Sequence, residues 1–239
     1  KTMDKIKTTH VGSLPRSKKL SEMLFKKDKN ELFDQGELDK IIEEDVNKIV
    51  KKQIDIGIDI ISDGEMSKIS YATYVKDRLH GFSGESERRA PKDLDDFPSY
   101  KEKIAKSGGT PTYTRPCCTA DLKIKDTKSL TKDISNLKSA LKKNNHSQGF
   151  INSASPGVIS NFLPNKFYKN DDKYLEALSK MMKTEYDEIT KNDLLLQIDC
   201  PDLALARHMT FKNVSDEEFL VRAEKQIECL NEAIKDIDA

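Results

Sequence analysis

The sequence has no excess of either charge, since 41 Lys+Arg face 41 Asp+Glu over 239 residues. That balance argues against a histone-like or polybasic protein, and no nucleic-acid partner is expected. Long apolar runs are also missing. The stretch Ile56 to Ile61 is broken by Gly57 and Asp59, far short of the roughly 20 residues that cross a bilayer, so no membrane span is expected. Cysteine is scarce, at four residues, and two of them are adjacent (Cys117, Cys118). This gives neither a disulfide framework nor a C-x-x-C pair, and free thiols are expected. The lysines of Lys1 to Lys7 lead into Thr8-Thr9-His10 instead of an apolar stretch, which is not a secretory signal. A cytoplasmic location is the expectation.

Chemical motifs are absent as well. There is no G-x-G-x-x-G, no G-x-x-x-x-G-K-[ST] and no G-x-S-x-G, which disfavours a nucleotide fold and a Ser-His-Asp hydrolase. The four histidines (His10, His80, His146, His208) form no H-x-x-x-H or H-x-C pair, so no zinc site is composed from local motifs. Apolar residues, counted with glycine and without tyrosine, are 89 of 239, about 37%, below the roughly 45–50% usual for globular chains. Leu, Ile, Val and Phe still number 57, about 24%. That keeps the chain out of the disordered class and allows a core of modest thickness.

What is present is an alternation of short β-like runs with long amphipathic ones. Glu37 to Ile56 places Leu38, Ile41, Ile42, Val46, Ile49, Val50 and Gln53 at helical spacing, and Gly57 follows as a C′ residue. Further helices are expected over Leu130 to Leu141, Lys173 to Ile189 and Asp216 to Ile234, the last with a capping box from Ser215 to Glu218. Strands are expected near 8–12, 58–62, 118–124, 149–154 and 194–199. Strands separated by helices imply βαβ units and parallel pairing, hence an α/β fold. Several strands end in polar or turn-forming clusters, as the active-site face of a parallel barrel requires. The expected architecture is a (β/α)8 TIM barrel of which this chain carries about the first five units. It forms a single, partial domain over 1–239, with an insertion or long excursion at 66–116 that includes Arg88 to Pro98 and Gly108-Gly109-Thr110-Pro111.

Three places suit chemistry, each with a blander alternative. In Thr8 to Arg16, Gly12 permits close approach and Ser13 offers an amide and a hydroxyl to an anion; the alternative is an ordinary strand exit with an exposed His10. Asp63 and Glu65 flank Gly64 at a strand end, where two acids suit an ammonium, a metal or proton transfer; acids in surface turns are also common. Asp199 follows the apolar run Leu194 to Leu196, and an acid closing a buried strand needs a partner or a ligand; otherwise it caps the next turn. Cys200 and Cys229 read as small buried hydrophobes.

Five segments in order then make a specific likeness. They are Thr8 to Arg16, Ser62-Asp63-Gly64-Glu65, Tyr74 to Phe82, Ala154-Ser155-Pro156-Gly157-Val158 and Leu196 to Ala204. Together they resemble cobalamin-independent methionine synthase, and in particular the short relatives of its carboxy-terminal catalytic domain. The resemblance implies a (β/α)8 barrel and a zinc-dependent methyltransferase. Such an enzyme moves a methyl group from a reduced folate, or a methyl-corrinoid, to the thiol of homocysteine. It implies that Val11, Gly12 and Ser13 hold the amino acid's carboxylate, that Glu65 and Asp199 hold its ammonium, and that His10, Ser155 and Asp202 lie nearby. A related implication is alkyl transfer to another thiol such as coenzyme M, although that acceptor has no ammonium for Glu65 and Asp199. A barrel fragment acting as a non-catalytic subunit is the remaining alternative.

The sequence departs from the family at one point. The family's zinc ligands are a His-x-Cys segment, an acid and a final cysteine after later strands, and nothing of that kind occurs between Asp199 and Ala239. The ligands are therefore expected beyond Ala239, in a missing carboxy-terminal segment or a second polypeptide that completes the barrel.

Overall fold

A computed structural model describes residues 5–87, 92–106 and 113–238. In chain order the elements are α1 (Lys18–Asp28), α2 (Gln35–Asp55), β1 (Ile61–Ser62), α3 (Val75–Arg78), β2 (Leu79–Ser83), α4 (Pro98–Lys106) and β3 (Cys117–Ile124). They continue with α5 (Lys128–Lys143), β4 (Gly149–Ala154), α6 (Pro156–Phe162), α7 (Asp171–Lys191), β5 (Leu195–Asp199) and α8 (Asp216–Ile234). Within the excursion, Gly108-Gly109-Thr110-Pro111 and the residues Arg88 to Pro91 lie outside the described residues.

The chain divides into two compact units. The first takes the described residues up to Tyr71 with Asp126–Ser153 and Glu185–Ile198; the second takes Ala72–Lys125, Ala154–Thr184 and the described residues from Asp199 onward. In the first unit a three-stranded sheet runs in the order β1-β4-β5. β1 pairs in parallel with β4, and a parallel bridge between Thr9 and Ile60 brings the amino-terminal segment alongside β1. α2 supplies the core face through buried Leu38, Ile41, Ile42, Val46 and Val50, which pack in one cluster with Leu130, Ile134 and Leu137 of α5 and with Ile61 and Ile151 of the sheet. The polar residue on that face is also explained. Gln53 donates from Nε2 to the Ser62 carbonyl (2.9 Å) and accepts from the Ser62 amide (3.1 Å), completing backbone bonds of β1.

The ends of α2 follow from its sequence. Asp34 accepts from the Glu37 amide at 2.7 Å as N-cap. At the other end Gly57 adopts φ +83° and the Ile58 amide reaches back to the Gln53 carbonyl, a Schellman closure.

In the second unit β2 pairs antiparallel with β3 in a two-stranded sheet. One of the five expected barrel strands is placed differently. The segment expected at 118–124 is a strand, yet it belongs to this antiparallel pair and not to the β1-β4-β5 sheet. β2 arises inside the excursion at 66–116. Its period-two pattern is interrupted by a register shift between His80 and Phe82, and Gly81 sits there with φ +107°, where a Cβ would meet the Ala120 carbonyl at 2.9 Å. α8 begins as expected, with both halves of the Ser215/Glu218 capping box formed. Among the described residues no helix is long and apolar enough to cross a membrane.

Candidate active site

The segment that follows β1 is built to hold one carboxylate. Gly64 and Glu65 both take positive φ, at +68° and +56°. A non-glycine residue rarely adopts that conformation and needs its surroundings to fix it. The fixing groups are identifiable. Asp63 Oδ1 accepts from the Glu65 amide at 2.9 Å and Ser62 Oγ from the Gly64 amide at 3.2 Å. The Gly64 carbonyl accepts from the Leu14 amide at 3.0 Å. Arg16 Nη2 donates to the carbonyls of Glu65 (2.6 Å) and Lys68 (2.7 Å). Gly64 is required by contact as well as conformation, because a Cβ there would meet Leu14 and Ile49 side-chain atoms at 3.2 and 3.3 Å.

The Glu65 side chain is 2% exposed. Its Oε2 accepts from Ser13 Oγ, and its Oε1 accepts from Asn152 Nδ2 of β4 at 2.5 Å. Lys68, buried at 1% exposure, donates from Nζ to the Asn152 main-chain carbonyl at 2.5 Å. Burial shifts the titration of two groups here, Asp63 and Arg16. Asp63 is pushed up to about 6, chiefly by burial; Lys68 opposes the shift, and Asp133 and Glu65 add to it. Burial pulls the Arg16 guanidinium down from its usual value, against the attraction of Glu65 and Asp63. Ser13 itself is exposed, so the hydroxyl that touches the buried carboxylate also faces solvent. Gly12 has φ +84° with nothing within 4 Å of a built Cβ; its glycine answers to backbone conformation. The Val11 side chain is exposed and His10 is half-buried beside the Thr9 bridge.

The second unit holds another buried acid. Asp202 accepts from Ser155 Oγ at 2.8 Å, and Ser155 Oγ in turn accepts from the Val158 amide at 3.0 Å as N-cap of α6. Burial raises the Asp202 pKa, with the Ser155 hydrogen bond opposing the rise. Gly157 is obligatory, since a Cβ there would fall 2.0 Å from Asp202 Oδ2. Asp199 belongs to this unit, and its carbonyl accepts from the Ser155 amide at 3.1 Å. β5, which it closes, is half-buried to exposed, so Asp199 does not close a buried strand, whereas Asp202, in the 3-10 turn Pro201–Leu203, is buried.

The structure thus brings Ser13 and Glu65 together and places Asp199 in the other unit. Sequence reasoning missed the roles of Asn152, Lys68 and Arg16. One signal was available: Asn152 and Ser153 are polar residues in the middle of an otherwise apolar run. Among the described residues no group of three or more His, Cys, Asp or Glu side chains is arranged to hold a metal ion. Burial pushes the Cys118 and Cys200 thiols up to about 11, so neither is a ready thiolate at neutral pH.

Comparison with known proteins adds a family. The model of the cobalamin-independent synthase catalytic domain matches residues 6–228. Curated relatives are 5-methyltetrahydropteroyltriglutamate–homocysteine methyltransferases. That of Thermosynechococcus vestitus is 27% identical over 82 residues, 34% of this chain and 11% of the relative. That of Bifidobacterium animalis subsp. lactis is 32% identical over 75 residues, 31% of this chain and 10% of the relative. Two solved structures share the fold. A B12-independent methionine synthase from Shewanella sp. W3-18-1, in complex with selenomethionine, superposes with a TM-score of 0.69 at 20% identity, over 97% of this chain and 59% of its own. A putative vitamin-B12-independent methionine synthase from Listeria monocytogenes gives 0.66 at 19% identity, over 99% and 64%. The chain therefore spans about three fifths of these structures, and its matched stretch about a tenth of the curated relatives. A model that covers all but the two ends settles the grouping: the chain belongs to the cobalamin-independent synthase family, in the region of its catalytic domain.

Proposed function

We propose that the chain carries the acceptor-binding part of a methyltransferase that methylates the thiol of homocysteine. The single observation that carries this reading is the Glu65 carboxylate, buried on a left-handed turn and bonded on both oxygens by the uncharged donors Ser13 and Asn152. A carboxylate held only by uncharged donors offers its remaining lone pairs to a cationic group such as an α-ammonium. The Val11-Gly12-Ser13 loop beside it offers backbone amides to an α-carboxylate. A relative in complex with selenomethionine, an amino acid with selenium in the place of sulfur, supports the same ligand class.

Zinc, when bound, supplies a deprotonated acceptor sulfur. The described residues do not compose a site for it, and the role of this chain is the binding and orientation of the amino acid. The methyl donor, a reduced folate in the family-based reading, is likewise assigned to no residue here. The partner is a small-molecule thiol.

Calorimetric titration of the full-length protein with L-homocysteine tests the reading. Loss of a charge-assisted hydrogen bond in Glu65→Gln should weaken binding by about 10- to 100-fold. 2-Mercaptoethanesulfonate, which has no ammonium, should bind the parent correspondingly weakly. Equal binding of the two thiols would instead favour alkyl transfer to coenzyme M.

A further inference from the structure

Asn152 has no place among the groups assigned to the ligand. It sits within β4, 2% exposed, in a strand whose six residues are all buried. A side-chain amide there is tolerated only when matched, because an unmatched buried amide costs stability. Its Nδ2 donates to Glu65 Oε1 at 2.5 Å, while its main-chain carbonyl accepts from Lys68 Nζ at 2.5 Å. Ser13 Oγ occupies the other Glu65 oxygen. The carboxylate is therefore held on both oxygens, from two elements 87 and 52 residues away in sequence, and both donors are neutral.

That neutrality has a chemical consequence. A cationic donor at Oε1 would cancel the Glu65 charge and compete with any incoming ammonium. An amide fixes the plane of the carboxylate and leaves its charge intact. The Lys68 ammonium, meanwhile, is bonded to the strand carbonyl of Asn152, where it anchors the residue that does the holding.

We infer that Asn152 is a positioning residue for the ammonium subsite: it aims Glu65, and through Glu65 it makes the site discriminate amino-acid thiols from thiols that lack the amino group. The inference rests on the reading of Glu65 given above. The test is titration of the full-length protein with L-homocysteine and with 4-sulfanylbutanoate, which keeps the thiol and the carboxylate but has no ammonium. The parent is expected to prefer homocysteine. Asn152→Leu, similar in volume and without a donor, should reduce that preference by about 10-fold or more. It should leave the affinity for 4-sulfanylbutanoate unchanged and add nothing to the effect of Glu65→Gln. If Asn152→Leu does not fold by circular dichroism, Asn152→Ala serves the same comparison. A role confined to packing would lower both affinities together, and that result overturns the inference. Preference lost in Glu65→Gln but kept in the Asn152 variants overturns this inference alone; a parent with no preference overturns the Glu65 reading with it.

Discussion

Replacing Asp63 by Asn isolates the electrostatics beneath the site. The substitution keeps the shape and retains an oxygen to accept from the Glu65 amide, now bonded to Asp63 Oδ1 at 2.9 Å. It removes only the titration. Burial raises the Asp63 carboxyl from 3.8 to about 6, with Lys68 pulling the other way and Asp133 adding to the rise. A carboxyl whose pKa is higher in the folded than in the unfolded chain binds its proton more tightly when folded. Stability is then greatest at low pH, falls as the pH rises between the two values, and levels off above about 6. At about 1.4 kcal/mol per pH unit, the full effect is about 3 kcal/mol, of which about 2 kcal/mol falls between about pH 4.5 and about pH 7.5. Urea unfolding of the parent and Asp63→Asn at both pH values measures it, because titrations common to the two proteins cancel in the difference. The stability of Asp63→Asn relative to the parent should rise by about 2 kcal/mol from the lower to the higher pH. A flat difference, or a parent that gains on the variant as the pH rises, would mean that Lys68 outweighs burial, and the reasoning would fail.

Two further substitutions probe the frame around the sites. Gly157→Ala puts a Cβ 2.0 Å from Asp202 Oδ2, so Asp202 must swing off Ser155; a loss of about 2–4 kcal/mol is expected in thermal or urea unfolding, and an unchanged melting temperature would contradict the contact. Ser215→Ala removes the N-cap of α8 and half of its capping box, and a loss of about 1 kcal/mol is expected by the same measurement. The ligand-binding effects of Glu65→Gln and Asn152→Leu complete the set.

Where local chemistry decides an element, the sequence was readable. α2 runs between an Asp cap and a Gly closure, α8 starts on its capping box, and β4 occupies 149–154 as its apolar run suggested. The strand pairing was not readable. β1 has two residues and is defined by its partner β4, 88 positions further on, while β3 looks like any barrel strand until it pairs with the bulged β2. The site divides in the same way. Glu65 stood out because an acid follows Gly64 at a strand end, and Ser13 because it follows Gly12. Asn152 and Lys68 make contacts 87 and 84 residues apart, which no local pattern encodes.

The most direct test of the account is a crystal structure of the full-length protein with L-methionine, the product of the proposed reaction. The account predicts the α-ammonium about 3 Å from a Glu65 carboxylate oxygen, with the α-carboxylate against the amides of Val11 to Ser13. An ammonium bound elsewhere, with Glu65 still bonded only to Ser13 and Asn152, would contradict it.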